Sequence, residues 1–318
     1  MKVRDILFIK TSSLGDVIHH MPAITEARAR LPDARMSWVV EEAFAPLVRL
    51  HPAVDEVIEV ASRRWRSALS QPSTWREMWR FGRAMRARRF DTIVDTQGLI
   101  RTGLMTRCAR GERHGYDVAS VRESLAARCY DKRHQVDRGL HAVARNRLLT
   151  ASALGYVPEG SPDFGLDTVR PGPVSARPYV VLLHATARRE KEWPEPRWIE
   201  LGVAFADTHD LVIPWGTPAE RARSERLASV LPSARVPDRQ PLDAVARLIA
   251  GASLVVGVDT GLLHLAAALR VPLVGVFGAS EPGLTGPVGP GSIEIVGAKG
   301  AMPAVSRVLT AARRIANS

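Results

Sequence analysis

Four short stretches of this 318-residue chain set polar side chains directly after apolar runs, where a βα turn would present them to a ligand. In residues 255–269, VVGVDTGLLHLAAAL, the apolar run 254–258 breaks into Asp259-Thr260-Gly261 and a helical apolar pattern starts at once. That order predicts strand, tight turn and helix, with the turn's backbone N–H groups at the positive end of the helix, where an anion is stabilised. Thr260 can hydrogen-bond an anion through its hydroxyl. Gly261 permits close backbone approach, and His264 stands one helical turn on, facing the same mouth. A diphosphate fits such a turn; so does an ordinary βα turn with Asp259 or Thr260 as N-cap. Lys191 lies in HATARREKEW, 184–193, with Thr186, Arg188 and Arg189. These hydroxyl and cationic groups suit phosphate, and equally a solvated charged loop. Asp16 follows Ser12 and Ser13 in TSSLGD, 11–16. A carboxylate there can take a proton from a hydroxyl nucleophile, or simply complement a helix dipole. Trp215, in Pro214-Trp215-Gly216, can stack on a purine or pack in the core, and Glu220 can accept from ribose hydroxyls.

Positioning these residues takes a repeated strand–turn–helix unit, and the hydrophobic pattern supplies one. Apolar runs over 5–10, 37–40, 57–60 and 92–95 predict short buried strands, with helical periodicity over 17–31, 76–89, 100–110 and 141–154. A proline- and glycine-rich stretch over 158–178 shows little periodicity. The alternation then restarts, with strands over 179–183, 210–213, 254–258 and 273–277 and helices over 196–206, 218–231, 242–249 and 304–315. Alternating strands and helices predict parallel sheets covered on both faces. The expected fold class is α/β, two Rossmann-like doubly wound domains facing across a cleft. The expected boundaries are a first domain over 1–160, a linker over 161–178 and a second domain over 179–318, with the final helix crossing back to the first domain. In such sheets ligands bind beyond the carboxyl ends of strands, so the cleft is the expected site.

Composition narrows the function classes. Hydrophobic residues make up 46% and charged residues 24%, the balance of a soluble globular protein. No apolar run reaches the length of a membrane span, and the N-terminal MKVRDILFIKTSS lacks the apolar region and cleavage site of a signal peptide, so a cytoplasmic location is expected. Cys108 and Cys129 are too few for a disulfide framework or zinc site and are read as reduced and structural. The net charge of +11 is concentrated: residues 63–147 hold 20 Lys and Arg against 8 Asp and Glu. An acidic partner is expected, whether nucleic acid, anionic lipid or a multiply charged substrate. Nucleic acid leaves Asp16, Lys191 and the Asp-Thr-Gly turn without use, so it is not the expected partner. Glycine-rich dinucleotide and P-loop motifs, Asp-x-Asp, His-Glu-x-x-His and Gly-x-Ser-x-Gly are all absent. That argues against NAD binding, a metal-bridged nucleotide-sugar site of that type and the usual hydrolase elbow.

Six segments carry a family resemblance. KTSSLGDVIHHMPA at 10–23, WVVEE at 38–42, DTQGL at 95–99, HATARREKEWP at 184–194, PWGTPAE at 214–220 and VDTGLLHLAAAL at 258–269, taken in order, resemble the bacterial lipopolysaccharide heptosyltransferases. WVVEE and the RRWR at 63–66 favour the branch that adds the first heptose of the inner core. A related enzyme with an already heptosylated acceptor is the alternative. The resemblance implies a GT-B fold and inverting transfer without a metal or cofactor. The donor would be ADP-L-glycero-β-D-manno-heptose and the acceptor the first Kdo of Kdo2-lipid A. The enzyme would work on the cytoplasmic face of the inner membrane of a Gram-negative bacterium, in peripheral contact with the anionic leaflet. On this resemblance Asp16 matches the catalytic base and Lys191 the lysine that supports the departing ADP. Asp259, Thr260, Gly261 and His264 match the donor motif, with Thr186 and Trp215 as further donor contacts, and Glu220 matches the ribose-binding carboxylate. Ser12, Ser13, Arg63, Arg64, Arg66 and Arg122 are the acceptor-binding candidates. Ala187 departs from the pattern, where relatives often carry a second Thr, so one hydroxyl contact to phosphate is missing or replaced by water.

Overall fold

The opening run DILFI offers only Asp5 to water, and it forms β1 (Asp5–Ile9), a strand buried from Ile6 onward. The computed structural model describes residues 4–186, 188–279 and 282–316, and the chain passes from one compact unit to a second between Gly165 and Leu166. After β1 the first unit continues with α1 (Leu14–Ile18), α2 (Met21–Arg30), β2 (Arg35–Glu41), α3 (Ala45–Val48) and β3 (Glu56–Val60). Then come α4 (Ser62–Ser67), α5 (Pro72–Arg86), β4 (Arg89–Asp95), α6 (Ile100–Cys108), β5 (Arg110–Tyr116), β6 (Lys132–His134) and α7 (Ala142–Leu154). Its strands form one parallel sheet in the order β3-β2-β1-β4-β5-β6. Strands covered on both faces read as continuous apolar runs, which is why β1 and β4 were legible.

The second unit is built from β7 (Tyr179–Leu183), α8 (Glu195–Val203), β8 (Asp210–Val212), α9 (Pro218–Val230), β9 (Ala234–Arg235) and α10 (Leu242–Ala250). It ends with β10 (Leu254–Val258), α11 (Gly261–Ala268), β11 (Leu273–Val276), β12 (Ile293–Val296) and α12 (Val305–Ala316). Its parallel order β12-β11-β10-β7-β8-β9 repeats that of the first unit when counted from its own first strand. Each sheet therefore reverses direction of travel once, between β1 and β4 and between β7 and β10, and doubly wound sheets bind ligands at that switch point.

One expectation needs correction. The helical pattern over 17–31 is two helices, because Pro22 has no N–H to continue the ladder and instead sits in the first turn of α2. The stretch 161–178, expected as a linker, is anchored along its length. Phe164 and Leu166 are buried, Asp167 pairs with Arg270 at 3.0 Å, and the Gly172 amide donates to the Arg247 carbonyl at 3.2 Å. The final helix sets its apolar face on the second unit. Val305, Val308, Ala311, Ala312 and Ile315 join the second unit's own core with Val274, Val276, Val296 and Leu201.

Candidate functional site

At the switch point of the first sheet, the chain leaving β1 is tied to the chain leaving β4. Lys10 donates through Nζ to the Thr96 carbonyl at 2.9 Å and to Asn146 Oδ1 at 3.4 Å. The Ser12 amide donates to Gln97 Oε1 at 3.2 Å, and Arg101 Nη2 donates to the Ser12 hydroxyl at 2.7 Å. Ser13 is the N-cap of α1, and Asp16 closes its capping box. Asp16 Oδ2 accepts from the Ser13 amide at 3.0 Å and from the Ser13 hydroxyl at 3.2 Å. Its Oδ1 accepts from Arg122 Nη2 at 2.6 Å and lies 3.9 Å from Lys10 Nζ. The dipole-complementing role open to Asp16 is thus realised, and an ion pair is added to it.

The electrostatics follow from this packing. Burial works against the charge on Asp16, but Lys10 and Arg122 together outweigh it and hold the carboxyl well below the usual carboxylate range. Burial lowers the Lys10 ammonium from 10.5 to about 8, with Asp16 pulling the other way. One carboxylate beside two cations leaves a local positive excess, which suits an anionic ligand. Asp95, at the end of β4, is fully buried; burial raises its pKa despite a 2.7 Å hydrogen bond from the Tyr130 hydroxyl and two from the Gln97 and Gly98 amides. Its role is to hold the DTQGL turn in shape.

At the switch point of the second sheet the loops after β7 and β10 are again tied together. The Thr186 hydroxyl donates to the Asp259 carbonyl at 2.9 Å, and Lys191 forms an ion pair with Asp259 Oδ2. Thr260 takes the N-cap position of α11, and its hydroxyl makes no capping hydrogen bond. Capping therefore does not occupy Thr260, and Asp259 is engaged by Lys191. Gly261 is the first residue of α11, whose buried side includes His264, 6% exposed. Ala187 lies outside the described residues.

The other predicted residues have definite places. Trp215 donates from Nε1 to the Pro237 carbonyl at 2.8 Å, and the Arg221 guanidinium lies over its ring at 5.3 Å. Glu220 Oε2 accepts from the Gly216 and Thr217 amides at 2.7 and 3.1 Å, closing the capping box of α9. Arg122 reaches Asp16, but Arg64 is committed to Glu42 and Glu77. Arg63 lies over the Phe44 ring at 5.0 Å, and Arg66 is exposed on α4. Sequence reasoning passed over Lys10 and Arg101. For Lys10 the signal was present: a lysine ending an apolar parallel strand sits at the ligand-binding edge of the sheet. Nothing in the local sequence singles out Arg101 or Asn146. Among the described residues no group of three or more His, Cys, Asp or Glu side chains is placed to hold a metal ion, and no helix is long and apolar enough to cross a membrane.

Known proteins resemble this chain in sequence and in fold. The profile of glycosyltransferase family 9 (heptosyltransferase) matches residues 78–312. Lipopolysaccharide heptosyltransferase 1 of Pseudomonas aeruginosa is 44% identical over 294 residues, spanning 91% of this chain and 83% of that protein. The solved structure of E. coli heptosyltransferase WaaC with ADP is similar with a TM-score of 0.91 at 39% identity, covering 98% of this chain and 99% of that one. The structure of the same E. coli enzyme with ADP-2-deoxy-2-fluoro heptose gives 0.87 at 39% identity, covering 98% of each chain.

Proposed function

The chain belongs to glycosyltransferase family 9, the heptosyltransferases, and from that premise we propose that it moves L-glycero-D-manno-heptose from ADP-L-glycero-β-D-manno-heptose to the first Kdo of Kdo2-lipid A. It is a glycosyltransferase of lipopolysaccharide biosynthesis; the donor, acceptor and residue roles are the proposal. The observation that carries it is the placement of the Asp16 carboxylate between Lys10 and Arg122 at the first sheet's switch point.

In this reading a Kdo hydroxyl attacks the anomeric carbon of the heptose as the bond to the ADP phosphate oxygen breaks. The configuration inverts to an α linkage. The hydroxyl proton passes to Asp16, and the bond electrons leave with ADP. A carboxylate with so low a proton affinity is a weak base. An acceptor carboxylate drawing Arg122 toward itself would remove one of the two cations that depress it. Proton affinity would then rise as the acceptor binds, with Ser12, Ser13 and Arg122 as its contacts. On the donor side, Lys191, Thr186, Thr260 and the N-terminus of α11 would face the diphosphate, and their dipoles and charge would stabilise the leaving group. Asp259 would then act as the resting counter-ion that keeps Lys191 in place until phosphate replaces it. Trp215 and Glu220 would border the nucleoside.

The deciding experiment is a transfer assay with ADP-heptose and deacylated Kdo2-lipid A in the presence of a chelator. Heptosylated product at an undiminished rate is the expected result. Rescue only by added divalent metal would remove the metal-free mechanism. Turnover of an already heptosylated acceptor in preference to the Kdo acceptor would reassign the step.

A further inference from the structure

Helix α5 carries a second surface that the transfer chemistry leaves unused. Its inward side, Met78, Phe81 and Met85, packs into the first unit's core with Trp65 and Phe90. Its outward side presents Trp75 and Trp79, 57% and 62% exposed and one helical turn apart. Arg76, Arg80, Arg83 and Arg86 are exposed on the same helix. The Arg83 guanidinium lies over the Trp79 ring at 5.3 Å, and the Trp75 indole donates to the carbonyl of exposed Leu69 at 2.8 Å.

Large indole rings left in water are unfavourable, and both of these stay more than half exposed. The four arginines make no ion pair among the described residues. The one carboxylate on α5, Glu77, is already engaged by Arg64 and by the Trp65 indole. Indoles with an apolar body and a polar edge favour the headgroup level of a bilayer, and guanidinium groups beside them reach lipid phosphates. Like charge along the face opposes pairing with a second copy of the chain.

We propose that the outward face of α5, centred on Trp75 and Trp79 and flanked by Arg76, Arg80 and Arg83, docks on an anionic lipid bilayer. The choice of partner rests on the proposed function, because a lipid-linked acceptor makes the bilayer the surface the enzyme must reach. The face itself contains no residue assigned to transfer.

The test uses the full chain with phosphatidylcholine vesicles, with and without one third phosphatidylglycerol. Wild type should sediment with the anionic vesicles alone, and added salt should weaken it. Trp75→Ser with Trp79→Ser should release the protein. Arg76→Gln, Arg80→Gln and Arg83→Gln together should weaken binding by on the order of a hundredfold. Both variants should melt like wild type and turn over the deacylated acceptor normally, while losing turnover of vesicle-borne Kdo2-lipid A. Variants that sediment like wild type would overturn the proposal. So would wild type that ignores anionic vesicles and instead self-associates, or binds single-stranded nucleic acid, through the two tryptophans. If wild type sediments through this face but converts no soluble acceptor, docking stands and the functional reading fails.

Discussion

Asp16 is kept ionised by its neighbours rather than by exposure, and this makes its role separable by experiment. Asp16→Asn retains the capping geometry but removes the proposed proton acceptor. It should lower turnover by about 10²–10⁴-fold, the usual worth of a general base, while calorimetric ADP binding stays near wild type. Near-normal turnover would remove it as the base. Lys10 is the second-strongest influence on Asp16 after burial and the strongest that lowers its pKa. Lys10→Met should therefore raise the Asp16 pKa and move the acid limb of the pH profile of kcat/KM to higher pH. A lysine with only a packing role would leave that limb in place. At the proposed donor site, Lys191→Ala would leave the Asp259 carboxylate without its counter-ion beside the diphosphate. A fall in kcat of about 10²–10³-fold is expected, with acceptor KM nearly unchanged in steady-state kinetics.

At the scale of elements, the loops proposed to hold the donor depend on how closely β10 and β7 approach. A Cβ at Gly257 would stand 2.8 Å from Leu183 Cβ and 3.2 Å from Leu263 Cδ1, so this strand pair has no room for a side chain there. Gly257→Ala should push the strands apart and cost about 1–3 kcal/mol in denaturant unfolding. Because Thr186 and Asp259 extend from these same two strands, donor affinity should fall as well, and ADP calorimetry would show it. The elements hardest to read in the sequence were those at the sheet margins. β5, RGERHGY, is mostly polar, β6 has three residues and β9 two, so none gives an apolar run. Their place in the sheets comes from pairing with β4, β5 and β8, a long-range contact that local periodicity does not encode. The central strands were legible because burial on both faces forces an apolar run.

For the whole molecule, charge and buried histidines set the response to pH. His184 is fully buried, its Nε2 within 2.8 Å of the Ser224 hydroxyl, and burial first, then Arg223, lowers its pKa from 6.5 to about 4. Between those values the unfolded chain binds more protons than the folded one, so stability falls as pH falls. From pH 7 to pH 5 this residue alone should cost about 2 kcal/mol. His184→Gln should flatten that part of the slope in denaturant titrations at the two pH values; an unchanged slope would show that other groups carry it. His51, lowered to about 4 chiefly by burial, acts in the same direction in the first unit.

The two α/β halves, the family and the turns that carry Asp16, Lys191 and Asp259 are legible in the amino-acid order alone, because each turn follows an apolar run whose burial is a local property. The sequence also carried the basic excess of residues 63–147, a matter of composition. Which charges meet depends on the packed fold. Arg122 is far from Asp16 in sequence and Lys191 far from Asp259, and parallel strand order brings each pair to one sheet edge. The same long-range packing placed Lys10 between Thr96, Asn146 and Asp16, tied Arg64 to Glu42 and Glu77, and kept α12 on the second unit's core. Pairing of this kind depends on the register of distant strands, and one-dimensional patterns of hydrophobicity contain no record of it.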